Sequence, residues 1–422
     1  MDMRAPIPCL TAILLLGFFA PASPVHAQAR PAAAAALTLH QAVARAQVKA
    51  PSLEGAAAGI RAADATVRST RLLPNPTLSV EAENVLGTGR YSRFGVSETT
   101  YAVSMPLELA AKRAARVRVA EADREMAAVA ARAAKADLTL RVTQAYIALA
   151  ANERRLKAAD TRRELAGQAE QAARLRVRSG KASPIEEQRA MVQRINAAVE
   201  AERADRATKV ATANLARLLD FAQPLVITAP WFDDTDRETG AEHQMASPAL
   251  AAADAGVAAA GARVGVARKA RIPDLTISAG ARRFNETNDT AAVLAISVPL
   301  PLFNRGDADI ARASAELDQA EAERRAIAID LEQALAMAQA DVADARANAV
   351  AASGPVLAAA SEAARIARIG YVEGKFSQLD LIEAERSLSQ TQEAAIDALA
   401  ALHDARARLA RLLGRVDPIY QD

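Results

Sequence analysis

Alternating apolar and polar residues predict four β-strands, which follow one another along the chain as two pairs. Every second residue is apolar, and the residues between are mostly small or polar, in segments 77–83, 100–107, 275–282 and 292–298. A period of two is typical of a strand with one apolar face. We expect strands of about 9 to 11 residues, a length that crosses a bilayer when the strand is tilted.

A helical pattern replaces this alternation soon after the second strand. Segment 110–178 lacks Pro, contains a single Gly and is rich in residues that favour helices. At about 1.5 Å per residue it predicts one helix roughly 100 Å long. Gly180 should end this helix in the left-handed conformation. Ser183 and Pro184 should then begin a returning helix that reaches about Leu219.

The second half of the chain repeats the first. The turn sequence Gly180-Lys-Ala-Ser183 recurs as Gly374-Lys-Phe-Ser377, at an offset of 194 residues. The sequence Leu-Ala-Arg-Leu-Leu at 215–219 recurs at 409–413 with the same offset. A shared offset indicates an internal duplication. Each half therefore predicts a helix, a β-hairpin, a long helix, a tight turn and a returning helix.

Changes in composition divide the chain into five expected parts. The first repeat opens with a helix over 37–71 that should break at Ala50-Pro51, because Pro lacks a backbone donor and restricts the residue before it. The connector lacks helical periodicity and holds Trp231, the only Trp. The parts are a signal peptide at 1–27, a first repeat at 28–219, a connector at 220–247, a second repeat at 248–414 and a C-terminal tail at 415–422.

The N-terminus has the features of a secretory signal peptide. Arg4 precedes an apolar run over 9–20, and small residues favour cleavage after Ala27. An uncleaved membrane anchor is the alternative, but the run is too short to span a bilayer. Cys9, the only Cys, lies in the removed segment, so we expect no disulfide and no lipoprotein. No later apolar run approaches 18 residues, and we expect no helical membrane span.

Charge and motifs limit the chemistry of the chain. The formal net charge of +2 gives no reason to expect a nucleic-acid partner. His40, His243 and His403 are isolated from one another, so we interpret them as surface or packing residues. The sequence contains no phosphate-binding loop and no nucleophile motif. We therefore expect no enzymatic activity, no cofactor and no resident metal.

The four strands predict a membrane barrel assembled from several chains. One apolar face and one polar or small face suit a barrel with lipid outside and water inside. Four strands cannot close, since the smallest single-chain barrels have about eight strands. Three or more copies would leave a passage. The residues alone do not decide between three and four subunits. A half-buried soluble sheet is the alternative. Five aromatics near the strands form either interfacial girdles or ordinary packing: Tyr91, Phe94, Tyr101, Phe284 and Phe303.

These patterns resemble a known family. The duplicated arrangement of hairpins and long helices resembles the TolC family of outer-membrane efflux channels over essentially the whole mature chain. Segments 81–84, 87–89, 97–116 and 297–313 resemble its CzcC-like branch, which serves heavy-metal efflux pumps of the resistance-nodulation-division class. Ala110-Ala111 stand where that branch usually has two glycines.

The resemblance implies a mainly α fold with transmembrane β-structure. Three chains would form a homotrimer, with a 12-stranded β-barrel in the outer membrane continued by an α-helical barrel across the periplasm. The channel would be a passive exit duct for divalent heavy-metal cations, driven by an inner-membrane proton-coupled pump through a periplasmic membrane-fusion adaptor. Outer-membrane lipid would surround the barrel. The turns facing the adaptor would comprise Arg178, Ser179, Gly180, Lys181, Ser183, Gly374, Lys375, Phe376 and Ser377.

The resemblance also implies a gate near these turns. Asp380 and Glu383 would ring the closed aperture, and their spacing of three places both on one helix face. Two solvated helix charges are the alternative. Tyr371 would bond across to the neighbouring coil at Glu186 and form a latch.

Two other functions remain as alternatives. A channel of the same fold could export drugs or organic solvents, or secrete proteins by a type I system. A secreted coiled-coil structural or adaptor protein is the alternative from another class, although four matched amphipathic strands argue against it.

Overall fold

The computed structural model describes residues 36–222, 224–236, 247–417 and 420. The predicted signal peptide and His243 lie outside these residues. Eight α-helices and four β-strands form the described chain. The helices are α1 Leu39–Lys49, α2 Pro51–Arg71, α3 Lys112–Arg178, α4 Pro184–Leu218, α5 Pro248–Ala270, α6 Asp307–Ala351, α7 Leu357–Val372 and α8 Gln378–Leu412. The strands are β1 Thr77–Glu83, β2 Glu98–Leu107, β3 Leu275–Phe284 and β4 Thr290–Ser297.

The two N-terminal helices follow local capping rules. Thr38 begins α1 with a capping box, in which Thr38 Oγ1 accepts from Gln41 N at 3.3 Å and Gln41 Oε1 accepts from Thr38 N at 3.1 Å. The helix ends before Ala50, and Pro51 occupies the first position of α2. The predicted break is confirmed.

The strands form one antiparallel sheet in the order β1-β2-β3-β4. Leu78 pairs with Val103, Val103 with Ala279, and Ala279 with Leu294. Directly paired residues point to the same face, so the apolar positions of all four strands form one continuous surface. The predicted strand lengths are wrong for β1 and β4, which have 7 and 8 residues. Both are the outer strands of the sheet, where pairing is made on one side only.

The opposite face of the sheet carries mostly polar and small residues. The hydroxyls of Ser104 and Ser278 lie 2.7 Å apart across β2 and β3. Arg282 forms ion pairs with Glu83 and Glu98, each at 2.9 Å. Since Glu83 and Glu98 are direct cross-strand partners, Arg282 relieves the repulsion between their like charges.

The first long helix, α3, has 67 residues and no interruption. It begins two residues later than predicted, because Ala110 and Ala111 adopt left-handed conformations with φ values of 56° and 55°. The left-handed conformation is energetically unfavourable for Ala because of its Cβ atom, whereas Gly adopts it without this steric cost. The returning helix α4 packs along α3 over much of its length, as predicted.

The second long helix is interrupted, and the prediction of a continuous helix is wrong here. A π-helical turn at Ala352–Val356 separates α6 from α7. Gly354 has non-helical dihedral angles (φ −96°, ψ −106°), and Pro355 follows it. Proline lacks the N–H for the helical ladder, and its ring clashes with the carbonyl four residues earlier.

Helix α5 lies between α3 and α6. Among the described residues it is the one helix long and apolar enough to cross a membrane, judged by length and composition alone. Ion pairs tie it sideways to its neighbours: Arg263 to Asp123 of α3 at 3.0 Å, and Arg324 of α6 to Asp254 at 2.5 Å. A single helix of this composition is weak evidence for a membrane span. The ion pairs of α5 with α3 and α6 are typical of a helix that packs within a helical bundle.

The main core lies where the connector crosses the long helices. Trp231 stacks on Tyr420 with ring centroids 4.2 Å apart, and the edge of His403 approaches Trp231 at 4.9 Å. Tyr146 of α3 also stacks on Trp231, with ring centroids 6.0 Å apart. We call this group of four the equatorial cluster. The connector therefore contributes core residues as well as joining the two halves.

Candidate functional site

The two turns at the end of the long helices have the same backbone design. Gly180 and Gly374 adopt left-handed conformations with φ values of 70° and 76°. The residue after each glycine donates a backbone hydrogen bond to a carbonyl five residues earlier, Lys181 to Arg176 at 2.9 Å and Lys375 to Gly370 at 2.8 Å. This is the Schellman pattern of a helix end. The predicted glycine-terminated turns are confirmed.

The residues predicted to form the tip are all exposed. They comprise Arg178, Ser179, Gly180, Lys181, Ser183, Gly374, Lys375, Phe376 and Ser377. The turn at 178–183 is called the first tip turn and the turn at 373–377 the second.

The helices that follow the two tip turns begin differently. Ser183 occupies the N-cap of α4 and Pro184 follows at the start of the helix, as predicted, but the Ser183 side chain makes no capping hydrogen bond. Ser377 caps α8 in a capping box: its Oγ accepts from Asp380 N at 3.2 Å, and Asp380 Oδ2 accepts from Ser377 N at 2.9 Å. The matching residue in the first half, at the 194 offset, is Glu186.

Glu186 instead contacts the neighbouring helical pair. We call α3 and α4 the first coil and α7 and α8 the second coil. Tyr371 Oη donates to Glu186 Oε2 at 3.4 Å, and Gln378 Nε2 donates to the Glu186 backbone carbonyl at 2.6 Å. Arg176 Nη1 donates to the Tyr371 carbonyl at 2.8 Å, and its guanidinium lies 4.7 Å from the centre of the Tyr371 ring. The structure thus brings Tyr371 and Glu186 together. Their role as a latch stays a prediction.

Burial controls the chemistry of Tyr371. Its side chain is 3% exposed. Desolvation is the main cause that raises the pKa of Tyr371, and the negative charge of Glu186 raises it further. The phenol therefore stays protonated at neutral pH and acts as the donor to Glu186.

Asp380 and Glu383 both lie exposed in the first turns of α8. Hydrogen bonds from the Ser377 side chain and then its backbone lower the pKa of Asp380, so the carboxylate is charged while it caps the helix. Within the described chain, Glu383 makes no hydrogen bond and no ion pair. Glu383 is thus the freer of the two predicted gate carboxylates.

Three residues that make contacts at the tip were not predicted from the sequence. Arg176 and Gln378 bind across the coils, and long polar side chains in helices give no signal of their own. Gly370 lies under the Phe376 ring, where a Cβ would come 2.1 Å from Phe376 Cδ2. The glycine was a readable signal, because a helix interior rarely favours Gly without a packing reason.

Potential metal ligands are scattered. Among the residues that the structure describes, no three His, Cys, Asp or Glu side chains group as a metal site. His40 is exposed. His403 is fully buried in the equatorial cluster, where desolvation is the main cause that lowers its pKa to about 4. The interpretation of His403 as a packing residue fits this environment.

A four-stranded sheet joined to two long helical coils, with paired tip turns, defines a class of bacterial channel proteins. The chain belongs to the outer membrane efflux protein family, whose profile matches residues 42–220 and 242–415. This confirms the family expected from the sequence.

The curated relatives extend this assignment. The chain is 32% identical to the cobalt-zinc-cadmium resistance protein CzcC of Cupriavidus metallidurans, over 91% of each chain. It is 30% identical to the nickel-cobalt-cadmium resistance protein NccC of Alcaligenes xylosoxydans xylosoxydans, over 63% of this chain and 62% of the relative. The expected CzcC-like branch is confirmed.

Solved structures show the same fold. VceC of Vibrio cholerae matches with a TM-score of 0.74 at 20% identity, over 90% of this chain and 97% of VceC. MtrE of Neisseria gonorrhoeae, in its open state, matches with a TM-score of 0.75 at 21% identity, over 89% and 88%. The channel CusC matches with a TM-score of 0.70 at 21% identity, over 89% and 91%.

Proposed function

We propose that this protein is the outer-membrane exit duct of a tripartite efflux system for divalent heavy-metal cations. The observation that carries the proposal is the 32% identity to a cobalt-zinc-cadmium resistance protein across 91% of both chains. Two further relatives carry nickel and cobalt in their names. The duct is passive and performs no catalysis, so a proton-coupled inner-membrane pump supplies the energy.

Three copies of the chain form the membrane pore. Within the described residues, β1 and β4 each lack a partner strand on one side, which leaves two open sheet edges per chain. Joining such edges head to tail removes them, and three chains give a barrel of 12 strands. The continuous apolar face then contacts lipid and the polar face, with Arg282 and the serine pair, lines the passage.

The helical tip faces the periplasmic adaptor. Both tip turns are exposed and lie at the far end of the long helices from the strands. Next to them, the contact between Tyr371 and Glu186 holds the two coils together as a latch. Three copies of Glu383 and Asp380 would attract cations and repel one another in a closed ring, which favours opening when the latch is released.

The helices occupy the periplasm and the sheet occupies the outer membrane. The chain reaches this location with a signal peptide cleaved after about Ala27. Since Cys9 belongs to the removed segment, no lipid is attached to the mature N-terminus.

Growth of a deletion strain tests the proposal. The strain is grown across gradients of zinc, cadmium, cobalt, nickel and copper, and in parallel with dyes and antibiotics. Selective sensitivity to one or more metals, restored by the intact gene, supports metal efflux. Sensitivity to drugs without sensitivity to metals would overturn it and indicate a general efflux or secretion channel.

A further inference from the structure

The two halves of the chain build matching hairpins. Thr77 pairs with Ser104 in the first hairpin, and Thr276 pairs with Ser297 in the second. The first strands of the hairpins are therefore offset by 199 residues and the second strands by 193. The returning helices α4 and α8 keep the offset of 194, from their N-caps to their last residues. Equivalent positions in the two halves can thus be assigned residue by residue.

The long helices α3 and α6 match at an offset of 193 down to the π-helical turn at Ala352–Val356. One cavity is lined by four residues of α3 and by the four residues of α6 at this offset: Arg116, Val119, Ala120 and Asp123, then Asp309, Arg312, Ala313 and Glu316. A π-helical turn adds one residue to a helix. It therefore changes the offset to 194 below the turn, which is the value for Gly180 and Gly374.

Inside the chain, the first half meets the second along a line that we call the internal seam. It consists of β2 with β3 and of α3 with α8. The equivalent elements at the free edges of the chain are β4 with α6 on one side and β1 with α4 on the other. Among the described residues, no hydrogen bond or ion pair joins α6 to α4. Four polar bridges join the two helices of the internal seam: Asp137 with Arg411, Gln144 with Asp404, Arg155 with Asp397, and Arg162 with Glu393.

The first bridge of the internal seam recurs at the free edges with the same residue types. Asp137 corresponds to Asp330 of α6, and Arg411 corresponds to Arg217 of α4. Asp330 is exposed and makes no hydrogen bond or ion pair with any described residue. Arg217 is exposed too, and within the described chain it bonds only to Asn214 of its own helix, at 3.3 Å. Each chain therefore carries the two members of a charge pair on opposite edges.

A second bridge is replaced by an apolar pair. Gln144 corresponds to Met337 of α6, and Asp404 corresponds to Val210 of α4. In the single chain these apolar side chains are 64% and 60% exposed. A change of one member alone would leave a polar group unpaired against an apolar one. The joint change therefore indicates that the two positions face each other.

The lowest bridge shows the same joint change. Arg162 corresponds to Val356, and Glu393 corresponds to Val199 of α4. These valines are 51% and 47% exposed in the single chain. The remaining bridge stays polar at the free edges, where Asn348 stands for Arg155 and Arg203 for Asp397.

The sheet edges carry the same correspondence. The hydroxyls of Ser104 and Ser278 lie 2.7 Å apart at the internal seam. Their equivalents on the outer strands are Ser297 of β4 and Ser79 of β1, so the residue type is kept at both positions. The register of β2 with β3 thus predicts that these two serines are cross-strand partners when β4 of one copy pairs with β1 of another.

We propose that a second copy of this chain covers α6 and β4, in the register of the internal seam. Asp330 of one copy pairs with Arg217 of the next copy, and Met337 contacts Val210 of the next copy. The occupant is a copy of this chain because α6 and α4 complement each other in charge and in apolar character at matching levels. We call this contact the intersubunit seam. It rests on the proposed pore of three copies and assigns the residues that join them.

Heptad spacing fixes the register of the intersubunit seam. Arg217, Val210 and Arg203 follow one another at intervals of seven along α4. A slip by one heptad would place Met337 opposite a guanidinium and would take Asp330 away from Arg217. The charge pair therefore selects the alignment, while the apolar pairs remove exposed area from water.

Charge reversal tests the intersubunit seam. Asp330→Arg and Arg217→Asp each place like charges opposite each other, and the double variant restores an inverted pair. We expect each single change to lower the fraction of trimer about tenfold at a fixed concentration of full-length protein in detergent, and the double change to restore it. Native mass spectrometry measures these fractions. Asp318→Arg is the matched control on α6, because its counterpart in α3, Glu125, lies exposed outside the internal seam.

Disulfide cross-linking tests the register. Cys9 lies in the predicted signal peptide, so the mature chain supplies no thiol of its own. Val210→Cys with Met337→Cys should form covalent dimers and trimers under mild oxidation, seen on a non-reducing gel. Val199→Cys with Met337→Cys is the mismatched control, since Val199 lies about 16 Å further along α4, and it should run as a monomer.

Four results would overturn the intersubunit seam. They are single reversals that leave the trimer intact, a double reversal that does not restore it, no cross-link at the matched pair, and a cross-link at the mismatched pair. An unmodified chain that stays monomeric would refute the pore of three copies as well. Metal export fails separately, because metal tolerance unaffected by deletion would refute the substrate while the trimer still reports on the seam.

Discussion

The equator and the tip of this molecule are held together by different kinds of contact. At the equator, large rings pack face to face and edge to face, and all four members of the equatorial cluster are at most 1% exposed. At the tip, alanines, Leu381 and a few polar bonds join the coils, and Tyr371 is the one large buried ring among the tip residues that the structure describes. Large buried rings stabilise more than alanines do, because they remove more apolar area from water. The chain therefore concentrates stability at the equator and leaves the tip free to move.

Removing Trp231 should have the largest effect on stability. Trp231→Ala leaves a cavity next to Tyr146 and Tyr420 and should lower the free energy of unfolding by about 3–5 kcal/mol. Thermal unfolding in detergent, followed by circular dichroism, measures the change. Phe303→Ala is the matched control, since that ring is fully exposed in the chain. Equal effects of the two substitutions would contradict an equator built on buried rings.

Acid should weaken the equator through His403. Its pKa lies near 4 in the folded chain, below the ordinary value of 6.5, so the folded state binds fewer protons than the unfolded state between these values. The contribution of neutral His403 to the free energy of unfolding is therefore fully present above about pH 6.5. It is lost as the pH drops to 4, which lowers the free energy of unfolding by about 3 kcal/mol.

Unfolding measured at several pH values checks the contribution of His403. His403→Gln keeps a donor for the Phe232 carbonyl and should flatten the slope over this range. His40→Gln, at an exposed position, should leave the slope as it is. A slope unchanged by His403→Gln would show that other groups titrate.

Glycine at the start of α3 should stabilise the chain. Ala110→Gly or Ala111→Gly relieves a left-handed conformation and should raise the free energy of unfolding by about 1 kcal/mol each. Ala130→Gly, in the exposed interior of α3, should lower it by about 1 kcal/mol. Thermal unfolding of the three variants gives the sign of each effect. Destabilisation by all three would mean that the left-handed turn is not a strained feature.

Breaking the latch should change stability least. Tyr371→Phe with Glu186→Ala removes one long hydrogen bond, which contributes about 1 kcal/mol or less. The closed-state conductance in planar bilayers should nevertheless rise, since this bond joins the two coils. Glu362→Ala, which breaks an ion pair within α7, should leave conductance unchanged. The latch is discarded if the double variant conducts like the unmodified channel.

Repetitive features of this fold were predictable from sequence. Strand alternation identified the apolar face, because the side-chain period of a strand is fixed at two and the register keeps Leu78, Val103 and Leu294 on one side. Gly180 and Gly374 marked both tip turns because left-handed backbone favours glycine. The resemblance supplied the pair Tyr371 and Glu186, which the structure brings into contact.

Features that depend on long-range packing were not predictable in this way. The Gly354-Pro355 pair was visible, but the surrounding alanines favour helix and hid the break. Asp380 and Glu186 occupy equivalent positions, yet one caps its own helix and the other accepts from Tyr371, because only the second lies opposite a buried phenol. The position of Trp231 depends on three segments that are distant from it in sequence: α3, α8 and the C-terminal tail.

Hydrogen exchange of the purified trimer tests the contrast between a rigid equator and a movable tip most directly. Amides of α7 should exchange faster than those of the matching part of α3, residues 163–178, because only α7 lies below a break in its helix. Amides around Trp231 and His403 should exchange most slowly. Equal exchange in α7 and in residues 163–178, or fast exchange around Trp231, would contradict this account.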